Sequence, residues 1–307
     1  MMKLLGAPKN HFSQFFYFFV LKSKLRTLPA LPQLGHSITI DTSIHTLHEA
    51  PMSDQKKDTH PTKDDVVIPA QHSALIHSLP DDMTAHLRNC PRDRPVLLLM
   101  RHSIRGPLPK TGGDEVPLTD EGRELARQFG GQIAQAEPPC LLAGVHSSPV
   151  LRCRQTAQEI MDGAGRAFPP DPMPCLALPG IFLLDSGAAI NAWRELGGDE
   201  VLRRMSQEEP IPLPGMTPVE SAVAAVLIQM FSKADNLPGL HVFVTHDAIV
   251  LPVAARLLGQ ELSMKDWPAF LDGIFIWNDD HGNVRSLYQR HSGCRPLARV
   301  LGPASPK

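Results

Sequence analysis

The chain has no long hydrophobic run. Its densest apolar stretch near the start, residues 15–21 (FFYFFVL), is far shorter than the roughly 20 apolar residues that a membrane-spanning helix requires, which excludes a span there. Cysteine is scarce and unpatterned: Cys90, Cys140, Cys153, Cys175 and Cys294 are odd in number, widely spaced and without a CxxC pair. Neither a disulfide framework nor a zinc site follows from that spacing, and a reducing, cytoplasmic setting is expected. Neither sign of charge dominates, with 30 Lys and Arg against 32 Asp and Glu and a formal net charge of -2, for a pI near 6.7. A global electrostatic case for nucleic acid or membrane binding is therefore lacking, and any anion site has to be local. No internal repeat is evident. Proline, by contrast, is plentiful. Its 30 residues are about twice average usage and fall between the periodic segments, which suggests long loops joining regular elements.

The length of 307 residues and a hydrophobic content of 42% allow a sizeable core. Residues 1–51 read poorly as structure. Lys3, Lys9, Lys22, Lys24 and Arg26 precede the first acid, Asp41, as in a secretory or transit segment, but no small-residue cleavage site follows the apolar run. The preferred reading is a misassigned start, with translation beginning at Met52. Residues 52–90 then form a flexible polar arm, with a short helix within 70–89 interrupted by Pro80.

The stretch that organises the remainder is residues 95–107, PVLLLMRHSIRGP. Val96 to Met100 carry no polar alternation and are too few for a free helix, so they suit a strand buried on both faces. Arg101, His102 and Arg105 follow at its C-terminal end. The same order, apolar strand then charged turn then helix, recurs at 141 and at 240. Strand 141–145 leads to Ser148, placed to cap a helix, with Pro149 at its first position and Arg152 just inside. Strand 240–245 leads to His246-Asp247 and a helix over 248–258 closed by Gly259. Thr119-Asp120-Glu121 starts another helix, with a hydroxyl cap and two acids in the first turn. Residues 192–205 and 219–231 read as helices, 176–184 as a strand or active-site loop, and 273–277 with 284–289 as a β-hairpin. The repeated unit predicts an α/β fold with a parallel sheet whose functional groups collect at one edge.

An isolated His or Arg at a strand end is usually structural. Here three charged turns occupy equivalent places in the pattern, so the sheet is expected to bring them together. Several guanidiniums suit a phosphoryl group, whose charge spreads over three oxygens as the leaving bond loosens. A neutral imidazole can attack phosphorus, and a neighbouring carboxyl can protonate the leaving alkoxide. Nothing in that scheme requires a metal or organic cofactor, and arginines around the two histidines would repel a cation.

At these residues the chain resembles the histidine phosphatase superfamily, which contains cofactor-dependent phosphoglycerate mutases and histidine acid phosphatases. The resemblance rests on Arg101-His102-Ser103-Ile104-Arg105-Gly106-Pro107, on Leu118-Thr119 with Gly122, on Ser147-Ser148-Pro149-Val150-Leu151-Arg152 followed by Gln155-Thr156-Ala157, and on Thr245-His246-Asp247. It covers roughly residues 95–259, with the terminal hairpin. It implies a phosphoglycerate mutase-like, three-layer α/β/α sandwich with a mostly parallel sheet, over residues 91–307. It also implies that His102 is the phosphorylated nucleophile and that Arg101, Arg105, Arg152 and His246 form the phosphate pocket. Ser103 stands where the family usually has glycine.

The resemblance leaves two candidates for the proton donor. In the acid phosphatase branch an acid directly follows the second histidine, which Asp247 matches. In the mutase-like branch it lies after the second arginine, where Asp185 is nearest. Asp247 is preferred, because the Arg105 and Pro107 spacing also leans toward the acid phosphatases. The expected activity is hydrolysis of a small phosphorylated metabolite through phosphohistidine, without metal. The alternatives are mutase-like phosphoryl transfer and a catalytically silent phospho-ligand-binding module. Arg154, His281 and His291 are expected at the surface, Cys153 in the core, and His146 either against substrate or in a structural role.

Overall fold

A computed structural model describes residues 78–109, 113–177, 180–207 and 211–302. The leader 1–51 and the arm as far as residue 77 lie outside the described residues.

The first described helix, α1 (Asp81–Asn89), starts directly after Pro80. The proline that interrupts the 70–89 pattern thus marks the helix start, where its fixed φ and missing N–H cost nothing. Strand β1 (Pro95–Arg101) follows, then α2 (Asp120–Ala134), with Thr119 capping through its side chain to the Gly122 N–H. Next come β2 (Leu142–Ser147) and α3 (Leu151–Gly163). Helix α3 begins later than Ser148 and Pro149 suggest, and Val150 sits at its N-cap without a side-chain bond. The Ser148 hydroxyl instead takes the Val150 N–H at 3.3 Å.

The two-residue β3 (Asp171–Pro172) comes next. In place of a strand over 176–184 there are two 3₁₀ turns, Pro174–Leu176 and Gly180–Phe182. The helix expected over 192–205 is two helices, α4 (Ser186–Leu196) and α5 (Gly198–Ser206), broken at Gly197 with φ 76°, a conformation that ends a helix. Then α6 (Val219–Ala234), β4 (Gly239–Thr245) and α7 (Asp247–Leu258) run as read, with Gly259 left-handed at the α7 end. Strands β5 (Gly273–Asn278) and β6 (Asn283–Tyr288) form the hairpin. A further strand, β7 (His291–Pro296), and a short helix, α8 (Leu297–Leu301), complete it.

The strands form one mixed sheet in the order β3-β2-β4-β1-β5-β6-β7. Its core is parallel (β3, β2, β4, β1), while β5, β6 and β7 pair antiparallel. Alternation along the strands divides the burial between two faces. Val96, Leu98, Met100, Leu240, Val242 and Val244 join Leu125, Phe129, Ile133, Ala157 and Ile160 from α2 and α3 in one cluster, which also takes Met83 and Leu87 of α1. The core therefore draws on residues ahead of 91. The intervening Leu97, Leu99 and Phe243 are equally closed from solvent and turn to the face of α6 and α7. Burying each such side chain contributes about 1.5–3 kcal/mol. This is a three-layer α/β/α arrangement, with the C-terminal ends of β1, β2 and β4 side by side.

Candidate active site

Register brings the catalytic candidates together. Arg101 is paired with Thr245 across β1 and β4, and the His102 N–H donates to the Thr245 carbonyl at 3.0 Å. On the other side of β4, Ser147 is paired with Val244 and the Ser148 N–H reaches the Val244 carbonyl at 2.8 Å. His102, Ser148 and His246 thus leave the sheet from adjacent strands at one level. Arg152 is added by the first turn of α3.

The tautomers follow from the partners. A carbonyl can only accept, so His102 Nδ1 donates to the Ser103 oxygen, 2.7 Å away, and Nε2 carries the lone pair. That lone pair accepts from Arg152 Nε at 3.0 Å. A guanidinium can only donate, so His246 Nδ1 accepts from Arg152 Nη2 at 3.2 Å, and His246 Nε2–H is directed to the Ser148 hydroxyl at 3.2 Å. The two rings meet edge to face with centroids 5.6 Å apart. Arg152 is itself fixed through Nη1 to the Gly113 carbonyl at 2.7 Å.

Both imidazoles are buried beside positive charge, and both effects favour the neutral ring. Burial first, then His246, Arg101 and Arg152, hold His102 well below its ordinary value of 6.5. Burial and Arg152 take His246 down to about 3. Arg101 and Arg105 are also pushed below the usual arginine value, by burial and by the neighbouring arginines. Three guanidiniums gathered with one carboxylate around a neutral, lone-pair-bearing nitrogen are an arrangement that an oxyanion relieves.

Arg101 does not stand free. Its Nη2 pairs with Asp247 Oδ2 at 2.9 Å, Nη1 donates to the Pro268 carbonyl at 2.8 Å, and its guanidinium lies 4.1 Å from the centre of the Phe270 ring, a cation–π distance. Arg105 donates to the Gly106 carbonyl at 2.8 Å. Asp247, the first residue of α7, therefore belongs to the cluster through Arg101. Asp185 is exposed and uses Oδ1 to cap α4, accepting from the Gly187 and Ala188 N–H groups at 2.9 and 3.1 Å.

The turn carrying His102 is braced by contacts that the sequence did not disclose, most of them made by residues of the quoted motifs. Thr156 Oγ1 accepts the Ser103 N–H at 3.0 Å and donates to the Arg152 carbonyl at 2.8 Å, tying the His102 turn to the helix that carries Arg152. Ser103, at the usual glycine position, is fully buried and donates to the Gly122 carbonyl at 2.7 Å. At Gly122 a Cβ would overlap the Ile104 carbonyl, so the start of α2 can press on the 103–105 turn only as glycine. Phe270, 5.7 Å from the His102 ring, lies outside any periodic segment and gave no signal. Ser148 was visible as a helix cap and as part of the 147–152 motif, but its contact with His246 was not.

The other expectations divide. Cys153 is buried, its thiol pushed up to about 12 by burial, and Arg154 and His281 are exposed. His291 is half-buried on β7, its ring 3.5 Å from Asp266, because β7 packs it against the 3₁₀ turn Met264–Asp266. His146 stacks on Phe243, with centroids 4.6 Å apart, and lies 3.2 Å from Asp171.

The family model described as histidine phosphatase superfamily (branch 1) matches residues 97–270, a span holding every charged residue of this cluster. No curated protein matches. Among solved structures, phosphoserine phosphatase from Entamoeba histolytica in complex with 3-phosphoglyceric acid is 20% identical, over 67% of this chain and 100% of its own, with a TM-score of 0.43. Phosphoglycerate mutase from Bacillus anthracis str. Sterne is 13% identical over 68% and 97%, with a TM-score of 0.42. The protein histidine phosphatase SixA, complexed with tungstate, is 15% identical over 65% and 96%, with a TM-score of 0.39. The family match corrects the leaning toward the acid phosphatase branch, since the Arg-His turn, second arginine and second histidine serve either branch and the adjacent acid is one residue. With its Arg-His turn, second arginine and second histidine brought together at the C-terminal ends of adjacent strands, the chain belongs to branch 1 of the histidine phosphatase superfamily.

Proposed function

We propose that the protein hydrolyses a phosphomonoester through a phosphohistidine intermediate on His102. The observation that carries this reading is the lone pair of His102 Nε2, held neutral by burial and directed at Arg152 Nε, 3.0 Å away. A phosphoryl group entering there would take Arg152, Arg105 and Arg101 as donors, with His246 beside it. In the first step Nε2 forms a bond to phosphorus, the ester P–O bond breaks, and Asp247 gives its proton to the departing alkoxide. In the second, water attacks phosphorus, its proton passes to Asp247, the P–N bond breaks and orthophosphate leaves. Arginines supply the positive charge that the transferring group needs, so the scheme calls on no metal. Bound phosphate would compete with Asp247 for Arg101, and the released carboxylate, now beside the substrate's negative charge, would take up from water the proton that it gives to the leaving alkoxide.

The branch 1 match favours the second candidate donor, Asp185, whereas the contact with Arg101 favours Asp247. A small phosphorylated metabolite is the proposed substrate class, and the five free cysteines support a reducing, cytoplasmic setting. No helix among the described residues is long and apolar enough to cross a membrane.

The test is release of p-nitrophenol from p-nitrophenyl phosphate, with EDTA and with vanadate, beside His102→Ala. EDTA-resistant, vanadate-sensitive turnover that disappears in the variant is expected. Silence across a panel of phosphoesters would leave a phospho-ligand-binding module, and phosphoryl return to a second substrate molecule would identify a mutase.

A further inference from the structure

Two buried imidazoles outside the catalytic cluster face each other without a partner between them. His146 on β2 and His241 on β4 occupy the α6 face of the sheet, where His241 alternates with the core residues Leu240 and Val242. His146 is 8% and His241 2% exposed. His241 Nε2 lies 2.9 Å from the Leu237 carbonyl, which can only accept, so that nitrogen carries the proton and Nδ1 the lone pair. His146 Nδ1 lies 3.2 Å from Asp171 Oδ2, so its proton sits there and Nε2 carries the lone pair. These two lone-pair nitrogens, His146 Nε2 and His241 Nδ1, are buried and have no hydrogen-bond partner.

The point on which they converge is defined by a missing atom. A Cβ on Gly144 would lie 3.0 Å from His146 Nε2 and 3.0 Å from His241 Nδ1. Glycine at this position leaves the gap between the rings open. Beside it lies a cavity of about 450 Å³, lined by both histidines, Gly144, Lys233 and the turn after α6. A buried lone pair without a donor costs free energy, and an electron-pair acceptor seated between the two nitrogens would satisfy both at once. The outer contacts are those that orient metal-bound histidines: a carboxylate on one ring and a backbone carbonyl on the other. Lys233, the nearby cation, is neutralised by Asp171 at 2.6 Å.

We propose that His146 Nε2 and His241 Nδ1 bind a divalent transition-metal ion of the imidazole-preferring class, such as zinc, copper or nickel. Among the described residues no three His, Cys, Asp or Glu side chains gather around a metal position. The protein thus gives two nitrogens, and water from the cavity completes the shell. The site would clamp β2 to β4 beneath the turn that leads to Ser148, apart from the reacting atoms.

The test is calorimetric titration of the metal-stripped full chain with Zn2+, repeated with Co2+ for its visible spectrum. Wild type and His102→Ala are expected to take one equivalent that His146→Gln and His241→Gln lose, while Asp171→Asn binds roughly 10- to 100-fold more weakly. Gly144→Ala keeps both rings and puts a methyl between them. It also loses the equivalent, and it decides the matter should a glutamine variant fail to fold. The proposal is overturned if wild type takes up no metal, if uptake is unchanged in a folded His146→Gln, His241→Gln or Gly144→Ala, or if His102→Ala abolishes it.

Discussion

Ser148 Oγ lies 3.2 Å from His246 Nε2, so the turn that ends β2 holds the imidazole that opens α7. Because His246 Nδ1 is occupied by Arg152, the serine contact at the opposite nitrogen fixes the ring's remaining freedom. Ser148→Ala is expected to lower kcat about tenfold, the equivalent of roughly 1.4 kcal/mol of transition-state stabilisation, with KM nearly unchanged. Steady-state kinetics against p-nitrophenyl phosphate measure this, and Ser148→Thr, which keeps the hydroxyl, should recover part of the loss. Equal rates for Ala and wild type would remove the serine from the positioning role.

The two candidate acids separate by leaving group. Asp247→Asn should cost on the order of 10²-fold or more with an alkyl phosphate and far less with p-nitrophenyl phosphate, whose phenolate leaves without a proton. Asp185→Asn should weaken the α4 cap by about 1 kcal/mol and leave turnover within a few-fold of wild type. The opposite ranking on the alkyl ester would transfer the donor's part to Asp185.

Acid should destabilise the fold early. His102 and His246 are held below 6.5, the latter at about 3, so between those values the unfolded chain binds protons that the folded chain refuses. Stability is then complete above pH 6.5 and declines as pH falls toward the folded pKa. Urea unfolding at pH 7.5 and 5.5, with EDTA present throughout, should give a lower midpoint at 5.5. His246→Gln should flatten that dependence; a dependence as steep as wild type would count against the assignment.

Gly122→Ala tests the contact between α2 and the turn that carries His102. The added methyl would overlap the Ile104 carbonyl, and relief requires backbone movement between His102 and Arg105. A loss of about 1–3 kcal/mol is expected, read as a lower urea midpoint, together with reduced kcat. A neighbouring helix glycine, Gly131, whose Cβ would meet only the Gly163 carbonyl, at 3.9 Å, serves as the control that stays close to wild type.

Central strands were legible because burial on both faces leaves a continuous apolar signature, as in Leu97-Leu98-Leu99-Met100. Edge strands leave none. β3 is only Asp171 and Pro172, and β7 reads His-Ser-Gly-Cys-Arg-Pro, since one margin of each faces solvent or pairs weakly and selects no hydrophobic pattern. The break at Gly197 was hidden because the apolar positions on both sides continue one helical stripe. The charged members of the site stood out through their shared place after strands. Phe270 did not, and Thr156 and Ser148 stood in the motifs without their bonding being readable, because the contacts of these three with Arg101, Ser103 and His246 join residues whose separation along the chain carries no fixed interval.

β1 and β4 run in step from Pro95 opposite Gly239 to Arg101 opposite Thr245. The spacing between the two imidazoles is therefore counted out in peptide units along two neighbouring ribbons. Exchanging leucine, isoleucine and valine within them should be forgiven, whereas deleting or inserting a single residue in either would reverse the pleat and swing one imidazole to the opposite side of the sheet. What these strands conserve for the chemistry is their length more than their lettering.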